Sequence, residues 1–140
     1  MVLKLNILQL EKIKSYLESC YPEEGCCILI GVIENDVKIL KEIALVKNVA
    51  VDNRKRRYII DPLEYSRIEK ETIEKGMEII GIAHSHPEHP SIPSDFDKQN
   101  SWPFFSYIIV SVKSGKSKSV NSWVLKDDRS EFEEEPIFAD

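Results

Sequence analysis

The chain has 140 residues, of which 42% are hydrophobic and 31% are charged, the composition of a soluble globular protein with a core of its own. Its 19 Lys and Arg residues against 24 Asp and Glu residues give a net charge of −5. This balance argues against a nucleic-acid-binding protein and against a basic membrane-surface module, because both need an excess of Lys and Arg. The longest apolar run, Cys26 to Ile33, is far shorter than the roughly 18–20 residues of a membrane span.

The length predicts a single domain over residues 1–140. Lys4, Asn6 and Gln9 interrupt any apolar signal-peptide segment near the N-terminus. The cysteines are an odd set with two adjacent members, which is not typical of a secreted disulfide framework: Cys20, Cys26 and Cys27. The adjacent pair lies in an apolar segment and is interpreted as core rather than as a thiol nucleophile or a redox pair. We therefore expect a cytoplasmic protein that binds neither nucleic acid nor membrane.

The first predicted element is a helix from about Leu8 to Cys20. Leu10, Ile13 and Leu17 recur in it at helical spacing, with charged residues on the other faces. Pro22 is expected to end the helix, because the residue before a proline avoids helical backbone angles.

The next elements form a predicted β-hairpin. The apolar run from Cys26 to Ile33 predicts a buried strand, Asn35-Asp36 predicts a turn, and Val37 to Val46 predicts the partner strand. The basic cluster Arg54 to Arg57 is interpreted as a solvated hairpin loop, with steering of an acidic partner as the weaker alternative. Tyr58 to Ile60 predicts one more short strand.

Helix and strand alternate in the second half of the chain. Asp61 is a candidate N-cap with Pro62 at the first helical position, and the helix that they begin is expected to end near Gly76. A strand from Met77 to His86 follows, and Ser94 is expected to cap a short helix after a proline-rich loop.

The last predicted elements are two strands, Tyr107 to Val112 and Ser119 to Leu125. The acidic residues after them are interpreted as solvated tail: Glu131, Glu133, Glu134 and Glu135. Helices mixed with strands and hairpins predict an α/β fold with a largely mixed sheet.

All three histidines of the chain fall within six residues, from His84 to His89. His84 and His86 stand at the end of a predicted strand, where alternation places both side chains on one face, about 6.6 Å apart along the strand. A third metal ligand can come from Asp95 or Asp97. Two imidazoles and a carboxylate leave one position of a tetrahedral zinc site open, which is the layout of a catalytic site. An H-x-H pair alone is more often exposed polar surface.

The residues around this pair carry a resemblance to a known family. His84-Ser85-His86-Pro87, followed after six residues by Ser94 and after two more by Asp97, matches the H-x-H-P-x6-S-x2-D signature of the JAMM (MPN-plus) metalloproteases. Upstream, Glu24-Gly25-Cys26 resembles the family segment in which a Glu precedes x-Cys-Gly just before the first strand. The order of predicted elements is similar to that of the family along nearly the whole chain.

The resemblance implies a cytidine-deaminase-like fold, a mixed sheet flanked by helices, with one zinc ion per chain. It implies His84, His86 and Asp97 as the zinc ligands, with the attacking water in the fourth position. Glu24 corresponds to the general acid/base that carries a proton from the water to the leaving amine. Ser94 corresponds to the serine whose hydroxyl holds the oxyanion of the tetrahedral intermediate.

The chain departs from the family pattern at Cys27, where relatives usually have Gly. This makes the register around Glu24 the weakest part of the match and leaves Glu23 as a competing base, although the Glu-x-Cys spacing favours Glu24. His89 matches no family ligand and is interpreted as an exposed loop residue, with substrate contact second. Asp95 lacks the signature spacing and is expected to help cap the short helix.

JAMM enzymes cleave after the C-terminal Gly-Gly of ubiquitin or ubiquitin-like proteins, so the resemblance implies a partner with a flexible tail that can pair with an exposed strand edge. The short chain is most similar to the compact prokaryotic branch of the family. Members of that branch act on ubiquitin-like sulfur-carrier proteins, removing a C-terminal amino acid or releasing a conjugate. The expected function is that of a zinc-dependent peptidase or isopeptidase, and the sequence leaves open whether it acts as a homodimer.

Two other functions fit parts of the sequence. Many MPN domains are protein-interaction scaffolds without metal, but they typically lack the set of ligands that this chain carries. A zinc deaminase pairs H-x-E with P-C-x-x-C, and neither motif is present. Two His and one carboxylate in a hydrolytic family favour zinc over iron or manganese.

Overall fold

The structure, a computed structural model, describes residues 1–140 and builds one eight-stranded sheet with three helices. The helices are α1 Ile7–Cys20, α2 Pro62–Glu74 and α3 Asp95–Asn100. The strands are β1 Val2–Leu5, β2 Cys26–Glu34, β3 Val37–Val46, β4 Glu78–Pro87, β5 Ser106–Lys113, β6 Lys116–Leu125, β7 Phe132–Glu135 and β8 Ile137–Ala139. Their order in the sheet is β7-β6-β5-β4-β2-β3-β1-β8. Parallel pairs (β1 with β3 and β8, β4 with β5) stand among antiparallel ones, which confirms the predicted α/β fold with a mixed sheet.

Side-chain caps fix where α1 and α2 begin. Asn6 Oδ1 accepts from the backbone N–H of Gln9 at 2.8 Å, and the Gln9 side chain accepts from the N–H of Asn6 at 2.9 Å. At α2, Asp61 accepts from the N–H of Leu63 at 2.9 Å, with Pro62 at the first position as predicted. No helix of the structure is both long and apolar enough to cross a membrane.

The sheet separates two hydrophobic clusters, one under α1 and one under α2. Alternation along β2 sends Cys27 and Leu29 into the α1-side cluster and Cys26 and Ile28 into the α2-side cluster. Burial on both faces explains why this strand is an unbroken apolar run. The adjacent cysteines are thus core residues, and burial raises the pKa of the Cys27 thiol to about 12. Cys27, the departure from the family pattern, fills core space on the far side of β2 from Cys26.

The chain passes from one edge of the sheet to the other across a single residue, Pro136. β7, which ends at Glu135, is the first strand in the sheet order, and β8, which begins at Ile137, is the last. The N–H of Leu3 donates to the Pro136 carbonyl at 3.1 Å. The sheet is therefore curled until its two edges meet. The strands β1, β7 and β8 were not predicted, and each of them has four residues at most.

The predicted solvated acidic tail is wrong for Glu135. This residue is 3% exposed, its carboxylate accepts from the Ser122 hydroxyl at 2.9 Å, and it lies 3.7 Å from the ammonium group of Lys38. Lys38 is itself 1% exposed and donates to the Ser106 hydroxyl at 2.9 Å. A buried charge needs such a partner, so the curl of the sheet and this ion pair depend on each other.

The strand predicted at Tyr58 to Ile60 is wrong, because this segment pairs with no strand of the sheet. The N–H of Ile59 donates to the side-chain oxygen of Asn48 at 3.1 Å, and its carbonyl accepts from the N–H of Val49 at 2.8 Å. A side chain takes the place of one backbone partner, so no ladder of hydrogen bonds forms.

Candidate metal centre

His84 and His86 lie on one face at the end of β4, and both are buried. Their ring centroids are 5.1 Å apart, and the ring of His84 stacks on Tyr58 at a centroid distance of 4.6 Å. Alternation along the strand therefore brings the two imidazoles together as the sequence analysis expected. The Tyr58 ring, on the segment beside the site, limits how the His84 ring can turn.

The first turn of α3 places the third candidate ligand, Asp97. The Ser94 hydroxyl accepts from the N–H of Asp97 at 3.1 Å, and Asp97 Oδ2 accepts from the N–H of Ser94 at 2.9 Å. The Asp97 carboxylate that this cap orients reaches both histidines. Its Oδ1 lies 3.3 Å from His84 Nε2, and its Oδ2 lies 3.0 Å from His86 Nε2. Asp95 is exposed and forms no hydrogen bond or ion pair with either histidine, so the helix is capped by Ser94 and the carboxylate at the centre is that of Asp97.

The protonation of His86 is defined by the loop after β4. Its Nδ1 lies 2.8 Å from the Pro90 carbonyl, which can only accept, so Nδ1 donates a proton. In a neutral ring, Nε2 then carries a lone pair that points at Asp97 Oδ2, 3.0 Å away. Because both atoms are acceptors, their close approach requires a proton or a metal ion between them. Burial opposes protonation, but the Asp97 carboxylate outweighs it and raises the pKa of His86. A carbonyl bound to the far nitrogen is also the usual partner of a metal-binding histidine.

Buried polar atoms without partners mark the same place. Despite its approach to Asp97, His84 makes no hydrogen bond through either ring nitrogen, and Glu24 Oε1 has none. Burial lowers the pKa of His84, which favours a neutral ring with a free lone pair. The ligand atoms of Glu24, His84 and His86 lie within 4.8 Å of one another. Because buried polar atoms are ordinarily hydrogen-bonded, these residues with Asp97 fit a divalent metal ion that takes nitrogen and oxygen ligands.

Glu24 reaches the histidines because β2 pairs with β4. The N–H of Gly25 donates to the Ser85 hydroxyl at 2.8 Å, and the N–H of Ser85 donates to the Gly25 carbonyl at 3.2 Å. The residue between the two histidines therefore holds the residue after Glu24. Gly25 packs so closely on α1 that a Cβ here would lie 2.6 Å from Cys20 Sγ. Glu23, the competing base, is half-exposed and lies outside the cluster.

The two buried carboxyl groups have opposite pKa shifts. Burial raises the pKa of Glu24 to about 8, and the charge of Asp97 adds to this effect. Burial also acts on Asp97, but the two histidines and the N–H of Ser94 outweigh it and hold the pKa of Asp97 well below its usual range. Neighbouring carboxyl groups whose pKa values are pushed apart are typical of one proton carrier beside one permanent anion.

Two cavities border this centre. The polar cavity, of about 290 Å³, is lined by Glu24, Arg56, His86, His89, Pro90, Ile92 and Ser94. The apolar cavity, of about 450 Å³, is lined by Asp97 and mostly by aromatic and aliphatic side chains, among them Tyr58, Tyr65, Phe96, Trp102 and Phe105. His89, predicted as exposed, is half-buried in the polar cavity. A cavity of about 530 Å³ between α1, β3 and α2 contains none of these residues.

Asn48 ties the loop that carries Arg54 to Arg57 to the backbone of Glu24. Its amide donates to the carbonyls of Glu24 at 2.9 Å and Arg57 at 2.8 Å. Its side-chain oxygen accepts from the N–H groups of Ala50 at 3.0 Å and Ile59 at 3.1 Å. Both amide hydrogens and both acceptor positions of the side chain are used. The basic cluster, predicted as a solvated hairpin loop, is exposed but lies against the site.

Asn48→Ala is expected to lower the free energy of unfolding by about 2 kcal/mol, because it leaves four backbone groups without partners, and the bonds to two of them are part-buried. Urea denaturation measures this change. Asn100→Ala is the matched control, since it removes one exposed hydrogen bond, to the Phe96 carbonyl, and is expected to cost less than about 0.5 kcal/mol. Equal effects of the two substitutions would contradict the role given to Asn48.

Sequence reasoning missed the residues that surround the candidate ligands: Asn48, Tyr58, Ser85 and Pro90. Ser85 carries a weak signal, since the residue between two same-face histidines must point to the opposite side of the strand. Asn48 and Tyr58 act through contacts between segments distant in sequence. Pro90 acts through its backbone carbonyl, four residues from His86, and no side-chain pattern indicates that contact.

A model of the prokaryotic homologs of the JAB domain matches residues 9–126. The chain belongs to this family. The family match confirms the resemblance to the prokaryotic JAMM/MPN proteins. Desampylase from Haloferax volcanii is 35% identical to this JAB-family chain over 91 residues. The matched residues make up 64% of this chain and 63% of the length of the desampylase.

Solved structures agree with the family. The JAB-family chain superposes on a protein from Desulfitobacterium hafniense with a TM-score of 0.84 at 27% identity, covering 99% of this chain and 93% of that one. A protein from Salinibacter ruber gives 0.76 at 33% identity, with coverages of 100% and 92%. A JAB1/MPN domain protein from Archaeoglobus fulgidus gives 0.55 at 20% identity over 98% of this chain and 95% of that one, which shows the shared fold.

Proposed function

We propose that this chain is a zinc-dependent peptidase or isopeptidase that hydrolyses the bond after the C-terminal Gly-Gly of a small ubiquitin-like or sulfur-carrier protein. The observation that carries the proposal is the buried group of Glu24, His84 and His86, whose ligand atoms lie within 4.8 Å of one another beside Asp97. Membership of the JAB family and the similarity to a desampylase support the reaction class.

In this proposal His84, His86 and Asp97 hold one Zn²⁺, which supplies Lewis-acid activation of water and of the scissile carbonyl. Asp97 suits the role of ligand because its carboxylate contacts both imidazoles and is oriented by the N–H of Ser94. Glu24 suits the role of proton carrier because it lines the open polar cavity and has an oxygen without a partner.

Glu24 takes a proton from the attacking water and gives it to the leaving amine nitrogen. Without the ion, burial raises the pKa of Glu24 to about 8, and this rise opposes the lowering that a bound Zn²⁺ would cause, which favours a group that first accepts and then donates a proton. Ser94 already accepts a hydrogen bond from the N–H of Asp97, which leaves its own O–H free to donate to the developing oxyanion.

The Gly-Gly tail of the partner is proposed to bind beside the extended segment Tyr58 to Ile60. The backbone N–H and C=O groups of Tyr58 and Ile60 form no hydrogen bond within the chain. An extended peptide can pair with such groups by adding a strand, and the segment borders both His84 and the apolar cavity.

A scaffold without metal, the alternative function, is less well supported. Unpartnered buried polar groups cost about 1–3 kcal/mol each, and a binding module has no use for them at His84 and Glu24.

Cleavage assays on Gly-Gly-tailed carriers test the proposal. Ubiquitin and small sulfur-carrier proteins, each extended by one alanine or joined through a Lys side chain, are incubated with zinc-loaded protein and with chelator-treated protein. Product release is expected from the zinc-loaded sample alone, and added zinc is expected to restore it after chelation. A zinc-loaded protein that binds these carriers without cleaving them would favour the scaffold instead.

A further inference from the structure

The polar cavity is where the leaving group of the proposed reaction must lie. Glu24 lines this cavity and not the apolar one, which Asp97 borders. A general acid has to stand within hydrogen-bond reach of the nitrogen that it protonates. The part of the substrate beyond the scissile bond therefore enters the cavity that Glu24 and Arg56 share.

Arg56 is the member of the basic cluster that this cavity contains. Its exposed guanidinium forms no ion pair and no hydrogen bond within the chain, although its charge acts across the cavity to lower the pKa of Glu24. Arg54 donates to the Ala50 carbonyl, and the guanidinium of Arg57 lies 5.1 Å from the ring centroid of Phe96. Lys55 also has no partner, but it does not line the cavity. A permanent positive charge whose hydrogen-bond donors are unused in the leaving-group cavity is suited to an anionic group of the ligand.

The position of Arg56 is coupled to that of Glu24. The N–H of Glu24 donates to the Arg54 carbonyl at 2.8 Å, and Asn48 joins the carbonyls of Glu24 and Arg57 through one amide group. These bonds hold the backbone on both sides of Arg56 to the backbone of the acid. A ligand group that binds Arg56 is thereby placed in a fixed relation to Glu24.

We propose that Arg56 determines specificity by binding a carboxylate on the leaving group, so that the preferred substrate is a Gly-Gly tail followed by one amino acid with a free α-carboxylate. The inference rests on the proposed function above. In such a substrate the carboxylate is attached to the same carbon as the leaving nitrogen. In a Lys isopeptide the leaving nitrogen ends a long aliphatic chain, and the carboxyl group of that lysine is bound in a peptide.

The reaction and the size of the cavity agree with this choice. Hydrolysis breaks the C–N bond after the second Gly, adds the hydroxyl of water to the carbonyl carbon and transfers a proton to the nitrogen, which releases a free amino acid. The cavity volume of about 290 Å³ lies at the lower end of the range for small-ligand sites, a size suited to one residue. A guanidinium and a carboxylate can form two parallel hydrogen bonds.

Binding to an inactive variant tests the inference without turnover. Zinc-loaded Glu24→Gln protein is titrated by calorimetry with two peptides that end in Gly-Gly-Ala, one with a free carboxylate and one with a carboxamide. The carboxylate peptide is expected to bind about tenfold more tightly, as for a charge-assisted hydrogen bond at an exposed site. In the double variant Glu24→Gln/Arg56→Gln, the ratio of the two Kd values is expected to fall to about one, while the Kd of the carboxamide peptide stays unchanged.

Two further variants separate a specific contact from general charge. Lys55→Gln removes a neighbouring charge of the same sign outside the cavity and is expected to keep the ratio, while Arg56→Lys is expected to keep part of it. A ratio near one with Arg56 in place would overturn the inference, as would equal losses from Lys55→Gln and Arg56→Gln. Failure of both peptides to bind at millimolar concentration would overturn it as well.

Turnover separates this inference from the proposed function. If wild-type protein cleaves the carboxylate and carboxamide peptides equally well, the peptidase function stands and the role of Arg56 is wrong. If zinc-loaded protein cleaves neither the peptides nor any Gly-Gly-tailed carrier, the proposed function itself fails, and the inference fails with it.

Discussion

Glu24→Gln is expected to lower kcat by about a thousandfold while zinc stays bound. Glutamine keeps the size of the side chain but can neither accept the proton of the attacking water nor deliver it to the leaving amine, and general acid–base catalysis is worth about 10²–10⁴ in rate. Turnover on a Gly-Gly-tailed carrier and metal content by elemental analysis are measured on the same sample. The second measurement matters because Glu24 lies close enough to the histidines to be a ligand itself.

Glu23→Gln is the matched control, since it makes the same chemical change one residue earlier at a half-exposed position outside the cluster. It is expected to leave kcat nearly unchanged. The opposite pattern, with activity lost in Glu23→Gln and kept in Glu24→Gln, would assign the base to Glu23. Loss of zinc from Glu24→Gln would make Glu24 a ligand rather than a proton carrier.

His86→Ala is expected to weaken zinc binding by more than about a hundredfold, because loss of a second-shell partner alone already costs about 10- to 100-fold, and to abolish turnover with it. Elemental analysis after dialysis is expected to give about one zinc per chain for the wild type and none for the variant. Circular dichroism checks that the variant is folded, since removal of a buried ring is also expected to cost stability.

His89→Ala is the control that this chain offers. It removes the same residue type from the same polar cavity, but His89 lies outside the group of converging ligand atoms. It is expected to retain zinc. A wild type without metal under zinc-replete conditions would remove the basis of the catalytic interpretation, and loss of zinc from His89→Ala would mean that the ligand set is wrong.

Local sequence chemistry predicted the elements whose signals are contained within them. Asp61 and Pro62 predict the N-terminal cap of α2. The unbroken apolar run of β2 predicts that both faces of this strand are buried. The strands that were missed have few residues and form because distant segments offer a free edge. Glu135 shows the same limit, since its charge indicated solvent while its partner, Lys38, lies almost a hundred residues away in the sequence.

The candidate site divides in the same way. Strand alternation predicts that His84 and His86 share a face, and the spacing of Ser94 and Asp97 is a reciprocal cap that can be read from the sequence. The approach of Glu24 could be expected from the family resemblance but not from a local pattern, because it depends on the register that pairs Cys26 with His84. Arg56 was interpreted as part of a solvated charge run, because its position in the polar cavity also depends on contacts between distant segments.

The joining of the two sheet edges at Pro136 restricts where a foreign strand can dock. A free edge is a template for unwanted pairing, and here the edge strands β7 and β8 have only four and three residues and continue into each other. Proline, without an N–H, offers no donor at the junction. A peptide therefore finds little open backbone along β7 and β8. The unpaired backbone groups of Tyr58 and Ile60 lie beside His84 instead, so the open backbone in this part of the chain is next to the candidate metal centre.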